Sequence, residues 1–175
     1  MLAKNKEYQI AYKNLKDGEH EFNWKLSGKF LELFDKKDMT GLDVTTDVIM
    51  KKSSRILQFT FHIKGVMSFE CDRCLDNVDI PVDTNHNLVF KVEGTKNDFE
   101  DEILYLSEDE TQLDISPFIY ESLIFSIPPR RVHGEDKNGK SLCNPEMTAK
   151  LNELMAKEEK PKDPRWDELG KLLNN

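Results

Sequence analysis

Hydrophobic and polar residues alternate along much of the first 92 positions of the chain. This period of two is typical of strands that bury one face, and the polar residues on the other face favour antiparallel pairing. The longest alternation predicts one strand, or two strands joined at Gly65. Its hydrophobic positions are Leu57, Phe59, Phe61, Ile63, Met67 and Phe69. Shorter alternations lie at 8–12, 22–26, 44–50 and 78–92.

From about residue 111 the hydrophobic pattern becomes helical. Ser116 and Pro117 predict a helix start, with Ser116 as N-cap and Pro117 in the first turn. Asn144 and Pro145 predict the start of a second helix in the same way. Ser27 is the expected N-cap of a short helix between the first strands.

Strands that come first and helices that come later predict the α+β class. We expect an antiparallel β-sheet, open or barrel-like, from the N-terminal two-thirds of the chain, packed by C-terminal helices. A single domain is expected over residues 1–158. Residues 159–175 then form a charged linker and a short docking helix.

Composition narrows the class of protein. The chain has 175 residues and a net charge of -8, from 25 Lys+Arg and 33 Asp+Glu. Its longest apolar run, at 103–106, is far shorter than the roughly 20 residues that span a bilayer. The N-terminus lacks the apolar segment of a secretory signal. Three cysteines do not make a disulfide framework, so we expect a protein of the reducing cytoplasm.

The pair Cys71 and Cys74 falls between two alternating segments, at or near a hairpin turn. Two sulfurs three positions apart in a tight turn are typical of a zinc knuckle, and structural zinc sites usually have four ligands. Cys143 and His133, the latter in the predicted loop 130–142, are the candidates for the other two. Burial of free cysteines in the core is the competing interpretation. A redox pair is disfavoured, because such pairs begin a helix in a βαβ unit.

Positive charge gathers at three places in an otherwise acidic chain. If the 51–55 turn and the 130–133 loop meet near Arg73, they form a patch of the size of a phosphate group. Ordinary surface charge is the alternative. The candidate RNA contacts are Lys51, Lys52, Arg55, Arg73, Arg130 and Arg131.

The C-terminal segment begins at Asp163 and carries an apolar stripe. A helix of about ten residues is too short to be stable alone in water, so the stripe must dock on its own domain or on a partner. Trp and Arg are typical of binding hot spots. The candidate docking residues are Arg165, Trp166, Leu169 and Leu173.

No motif of a known catalytic site stands out. HExxH, P-loop, GxGxxG and GxSxG patterns are absent from the sequence, and no pair of acidic residues is distinguished by its spacing. We therefore expect no enzyme and no small-molecule substrate. Acidic residues do cluster at 98–102 and 108–110, which suits contact with a basic protein.

Three segments together resemble the YceD-like family, named for large ribosomal RNA subunit accumulation. They are 69–75 with its CDRCL sequence, 113–128 ending in Pro, and Cys143 together with DPRWDEL at 163–169. The resemblance covers about residues 8–173. It implies a cytoplasmic role in maturing or stabilising large-subunit ribosomal RNA, with no established catalytic residues.

The resemblance also bears on the metal. Many members of the family carry a second cysteine pair, so Cys71, Cys74 and Cys143 correspond to metal-type positions. Glu146 stands where the last cysteine would be, so zinc binding here requires His133 as a substitute.

Two hypotheses follow for function. One is a non-catalytic assembly factor that contacts large-subunit ribosomal RNA precursors, a basic large-subunit ribosomal protein, or both. The other is an acidic protein-interaction module, or a zinc-stabilised adaptor, without direct RNA contact. Neither has a membrane role.

Overall fold

A computed structural model describes residues 6–34, 38–92 and 103–155. Its strands are β1 (Gln9–Ile10), β2 (Gly18–Ser27), β3 (Met39–Lys52), β4 (Ile56–Glu70), β5 (Asn77–Val92), β6 (Ile103–Leu106) and β7 (Leu113–Asp114). Its α-helices are α1 (Gly28–Glu32), α2 (Ser116–Ser126) and α3 (Pro145–Leu154). Two single-turn 3₁₀ helices, Lys6–Tyr8 and Tyr12–Asn14, flank β1.

Five strands form the main sheet, in the order β2-β3-β4-β5-β6. The first four pair antiparallel as successive hairpins, and β6 joins the edge parallel to β5. β1 and β7 make a separate two-stranded ribbon. The fold is therefore α+β with a mostly antiparallel sheet, as predicted, and in the described residues this sheet is open rather than a barrel.

The alternation in the sequence matches the two faces of the sheet. Phe59, Phe61 and Ile63 of β4 are fully buried, and the intervening Thr60 and Lys64 are exposed. The buried face packs against the N-terminal segment, α1 and α2. Burial of apolar area at roughly 25 cal/mol per Å² makes this one-sided core the main source of stability.

β4 is one continuous strand of 15 residues, although Gly65 lies within it. Gly65 has φ +155°, and a Cβ there would lie 2.3 Å from the carbonyl oxygen of Asp43 on β3. The glycine thus permits close approach of two strands rather than a turn.

Of the three α-helices in the described residues, α3 alone has a side-chain cap from its N-cap residue. α3 begins as predicted: the Asn144 side chain accepts hydrogen bonds from the N–H groups of Glu146 and Met147. The prediction that Ser116 caps α2 is wrong, because Ser116 is already helical and donates to Asp114, whose carboxylate also accepts its N–H. Ser27 stands at the cap of α1 but makes no capping bond with its side chain.

The two ends of the long hairpins are far apart. The β3–β4 turn lies at one end of the sheet, and the β4–β5 turn at 71–76 lies at the other. Fifteen residues at about 3.3 Å each separate them by about 50 Å. No helix among the described residues is both long and apolar enough to cross a membrane.

Candidate metal centre

The β4–β5 turn holds the first two cysteines, as predicted. Cys71 follows the last residue of β4, and its N–H donates to the Asp76 carbonyl oxygen at 2.9 Å. Leu75 adopts φ +65° and donates its N–H to the Cys71 carbonyl oxygen at 2.9 Å. These bonds close the turn so that both sulfurs point to the same side, into the protein, with Cys71 0% and Cys74 1% exposed.

A second segment is clamped onto this turn. The N–H of Asp72 donates to the carbonyl oxygen of Arg131 at 2.7 Å. In return the Asp72 carboxylate accepts from the N–H of Arg131 at 2.7 Å and from its guanidinium at 3.0 Å. This reciprocal pairing places His133, two residues on, over the knuckle.

A third segment, at the start of α3, also contacts this turn. The Asn144 amide donates to the Asp76 carboxylate at 3.1 Å, which holds the beginning of this helix against the turn. Cys143, next to Asn144, is 5% exposed. Three separate segments therefore converge at one end of the sheet.

The side chains of Cys71, Cys74, His133 and Cys143 meet there, with their ligand atoms all within 4.8 Å of one another. The sulfurs of Cys71 and Cys143 are 3.8 Å apart, and the Cys74 sulfur is 3.5 Å from Nδ1 of His133. Zinc bonds of about 2.3 Å to sulfur and 2.0–2.1 Å to nitrogen give tetrahedral edges of about 3.8 Å and 3.6 Å. The donor set and both spacings fit tetrahedral zinc.

A hydrogen bond on the side of the ring away from the sulfurs fixes the orientation of the His133 imidazole. Nε2 of His133 lies 3.0 Å from the carbonyl oxygen of Asn77, the first residue of β5. A carbonyl can only accept, so Nε2 carries the proton and Nδ1 presents its lone pair to the sulfurs. This is the outer-shell bond that metal-ligating histidines characteristically make.

The surroundings favour thiolate at the site. Burial raises the pKa of the Cys71 thiol, but backbone N–H groups aimed at its sulfur outweigh burial and lower that pKa to about 6. These donors belong to Cys74, Arg73 and His133. The Ser141 hydroxyl lowers the pKa of Cys143, whereas burial raises that of Cys74. The hydrogen bond to Cys71 raises the pKa of His133.

Core packing alone does not account for this arrangement. It explains buried cysteines, yet an imidazole nitrogen aimed at three thiols is not an apolar contact. The three cysteines are not disulfide-bonded, and the CxxC follows a strand rather than beginning a helix. Glu146 is exposed on the first turn of α3 and takes no part in the cluster.

The candidate RNA contacts do not form one patch, because the 51–55 turn and the 130–133 loop do not meet near Arg73. Lys51, Lys52 and Arg55 lie at or beside the β3–β4 turn, about 50 Å from Arg73 at the β4–β5 turn. Two of the three have carboxylate partners: Lys51 pairs with Glu19 at 3.3 Å, and Lys52 with Asp17 at 3.1 Å.

The remaining three candidates surround the metal centre. The Arg131 guanidinium pairs with Asp72 and lies 5.2 Å from the centre of the Phe69 ring. Arg73 donates to the Ser141 hydroxyl at 3.2 Å and lies 4.0 Å from the Cys143 sulfur. Arg130 is exposed, and its guanidinium has no hydrogen bond or ion pair within the described ranges.

The docking residues Arg165, Trp166, Leu169 and Leu173 lie outside the described residues.

Two features of the site had no signal in the sequence. Supporting groups such as the Asn77 carbonyl are backbone atoms that every residue has. The cavities beside α3 were also unforeseen. One, of about 500 Å³, is lined by Leu142, Cys143 and Ala149 among others. The other, of about 320 Å³, is lined by Arg73, Arg130 and Met155 among others, and both share Thr148 and Asn152.

Comparison with known proteins agrees with this architecture. The family described as "Large ribosomal RNA subunit accumulation protein YceD" matches residues 59–173. The "Uncharacterized protein YlbN" of Bacillus subtilis (strain 168) is 31% identical over 122 residues, which are 69% of this chain and 68% of that protein. No solved structure matches. Since the family match runs from β4 through the Cys/His cluster to residue 173, this chain belongs to the YceD family.

Proposed function

We propose that this protein is a non-catalytic ribosome-biogenesis factor that supports the accumulation or processing of large-subunit ribosomal RNA. Family membership carries the proposal, because the family's description names that RNA and the match includes the Cys/His cluster. The function is exerted by contact with the RNA, with a large-subunit ribosomal protein, or with both, in the cytoplasm.

The cluster supports a structural metal rather than a catalytic one. We assign zinc to Cys71, Cys74, His133 and Cys143, where it supplies a cross-link between three chain segments. Catalytic zinc keeps one coordination position open to water or substrate, whereas four protein ligands close this one. The three thiol side chains are at most 5% exposed, which restricts the access of a substrate to the metal.

The zinc-held end of the sheet, here called the zinc lobe (residues 71–76 and 130–144), is the proposed RNA contact. Arg130 is exposed there, and Arg131 and Arg73 are fixed beside it by Asp72 and Ser141. Arginines held in place lose little entropy when they bind phosphate. The turn with Lys51, Lys52 and Arg55 forms a second, separate set of cations.

Sedimentation of cell extract through a sucrose gradient tests the role. We expect the protein to migrate with large-subunit precursors at low salt and to leave them at high salt, since each phosphate contact contributes roughly one unit to the log–log salt slope. Sedimentation with free protein alone under both conditions contradicts the proposal.

Two matched charge reversals locate the contact. Arg130→Glu changes the zinc lobe and Arg55→Glu the opposite end of the sheet, and both side chains are exposed. Arg130→Glu should weaken association severalfold more than Arg55→Glu. The reverse order would move the RNA contact to the β3–β4 turn.

A second candidate is contact with a basic ribosomal protein. The open face of the sheet presents Glu21, Asp47, Glu70 and Asp79, which form no ion pair within the described part of the chain. The exposed 108–110 segment adds negative charge, and 98–102 lies outside the described residues. The electrostatic field of these acidic residues steers a basic partner toward this face. Glu21→Gln with Asp47→Asn and Asp79→Asn should then release basic protein from a pull-down while RNA stays bound.

A further inference from the structure

Helix α3 has an apolar stripe that no other described residues cover. None of its residues is fully buried, and only Met147 at its first turn packs against the core. The stripe continues through half-buried Leu151 to Leu154 and Met155, which are 85% and 72% exposed. A ten-residue helix is marginal by itself in water, so this face gains stability from any apolar partner.

The sequence that follows supplies a matching stripe. Met147, Leu151 and Leu154 are spaced by four and then three residues. Trp166, Leu169 and Leu173 are spaced by three and then four. Read antiparallel, the two stripes are in register, with Trp166 opposite Leu154 and Leu173 opposite Met147.

The connection has the right length. Residues 156–162 separate the end of α3 from Asp163, within the about 2–8 residues that usually join antiparallel helices. Asp163 and Pro164 are typical of a helix start. The family match extends to residue 173, so the segment belongs to the family's common sequence.

Charge is complementary as well. The cavity beside Met155 is lined by Arg73 and Arg130 together with Asp72, which is already paired with Arg131. The segment carries Asp167 and Glu168 next to its apolar stripe. We propose that residues 163–173 dock in cis on α3, as the second helix of an αα-hairpin, with Trp166 against Leu154 and Met155. The docked segment would adjoin Arg73 and Arg130 of the zinc lobe, but the proposal does not rest on the ribosomal role.

Tryptophan fluorescence tests the docking in the full-length, metal-loaded chain. The chain has two tryptophans, so Trp24→Phe leaves Trp166 as the reporter. We expect blue-shifted emission that acrylamide quenches weakly. Adding Leu154→Asp should shift the emission to that of exposed indole and raise quenching severalfold, whereas Phe125→Asp, at an 80% exposed position on α2, should change neither.

Three results would overturn the proposal. One is emission typical of exposed indole before any stripe substitution. Another is blue-shifted emission that Leu154→Asp leaves unchanged, which places Trp166 elsewhere. The third is emission that shifts with protein concentration, which assigns the groove to a second copy. Unchanged circular dichroism and zinc content in Leu154→Asp would exclude unfolding as the cause.

Discussion

His133 is the residue that distinguishes a metal centre from a buried cluster of thiols. Its Nδ1 faces the Cys74 sulfur at 3.5 Å, and its Nε2 is held by the Asn77 carbonyl oxygen at 3.0 Å. Both ring nitrogens are therefore used in the way a zinc ligand uses them. Apolar packing would leave the ring orientation unspecified.

Replacing this ligand should weaken zinc binding. We expect His133→Ala to lower zinc affinity by at least about 100-fold, because an outer-shell loss alone costs 10–100-fold. Competition with a chromophoric chelator measures this. His133→Cys should retain the metal, since Cys₄ sites are common structural zinc sites. Equal affinity of His133→Ala and the unsubstituted chain would contradict the assignment.

Zinc affinity should fall steeply as the pH drops below about 6. Zinc requires thiolate and neutral imidazole, so protons compete with it. The Cys71 pKa of about 6 keeps this thiolate available above that pH, and the raised pKa of His133 lets acid protonate the imidazole early. The lowered Cys71 pKa thus delays proton competition, whereas the raised His133 pKa advances it, and below about 6 both groups are protonated in the metal-free form. Zinc retained in full at about pH 4, measured with a chelator, would contradict this.

At the residue scale, the sequence predicted the four candidate ligands but not the groups that hold them in position. Cysteine and histidine are distinctive metal ligands, so all four candidates could be named from spacing and loop position. The Asn77 carbonyl and the Asp72–Arg131 pairing depend on backbone positions that only the folded hairpin defines. Nothing in the sequence distinguishes Asn77, Asp72 or Arg131 as residues with these supporting roles.

The ends of two strands and the start of one helix position the candidate metal centre. β4 and β5 define the turn with Cys71, and α3 begins two residues after Cys143. The period of hydrophobic residues was sufficient to predict these elements. It could not distinguish one strand from two at Gly65, because a glycine for close strand approach and a glycine for a turn look alike in sequence.

The Asn144 cap should contribute measurably to stability. Asn144→Ala removes bonds to two N–H groups of α3 and the bond to Asp76, at an expected cost of about 0.5–2 kcal/mol. Denaturant unfolding measures the change. Ser27→Ala is the matched control, because Ser27 makes no side-chain capping bond and should change little. Equal effects of the two substitutions would contradict the assignment of the caps.

Gly65 should not tolerate a side chain. In Gly65→Ala the new Cβ meets the β3 backbone at 2.3 Å in a positive-φ conformation, so we expect a loss of roughly 1–3 kcal/mol in the free energy of unfolding. Gly134→Ala, where a Cβ meets open space, should stay within about 0.5 kcal/mol. Thermal unfolding of both variants compares them, and an unaffected Gly65→Ala would show that β3 and β4 separate more easily than the structure indicates.

On the scale of the whole molecule, long strands set the distances between surfaces. The hairpins place Lys51, Lys52 and Arg55 at one end and the zinc lobe at the other. Charge alone left open whether these groups meet in one phosphate-sized patch, and 15 residues of unbroken strand keep them apart. RNA that touches both cation sets must extend over about 50 Å.

The proposed zinc joins side chains, element ends and one end of the molecule, so its stoichiometry is the most direct test of the account. Untagged protein, purified without chelators, would be analysed for metals by mass spectrometry beside the double variant Cys71→Ser with Cys74→Ser. The account predicts about one zinc per chain in the unsubstituted protein and almost none in the variant. Less than about a tenth of an equivalent of zinc in the unsubstituted protein would contradict it.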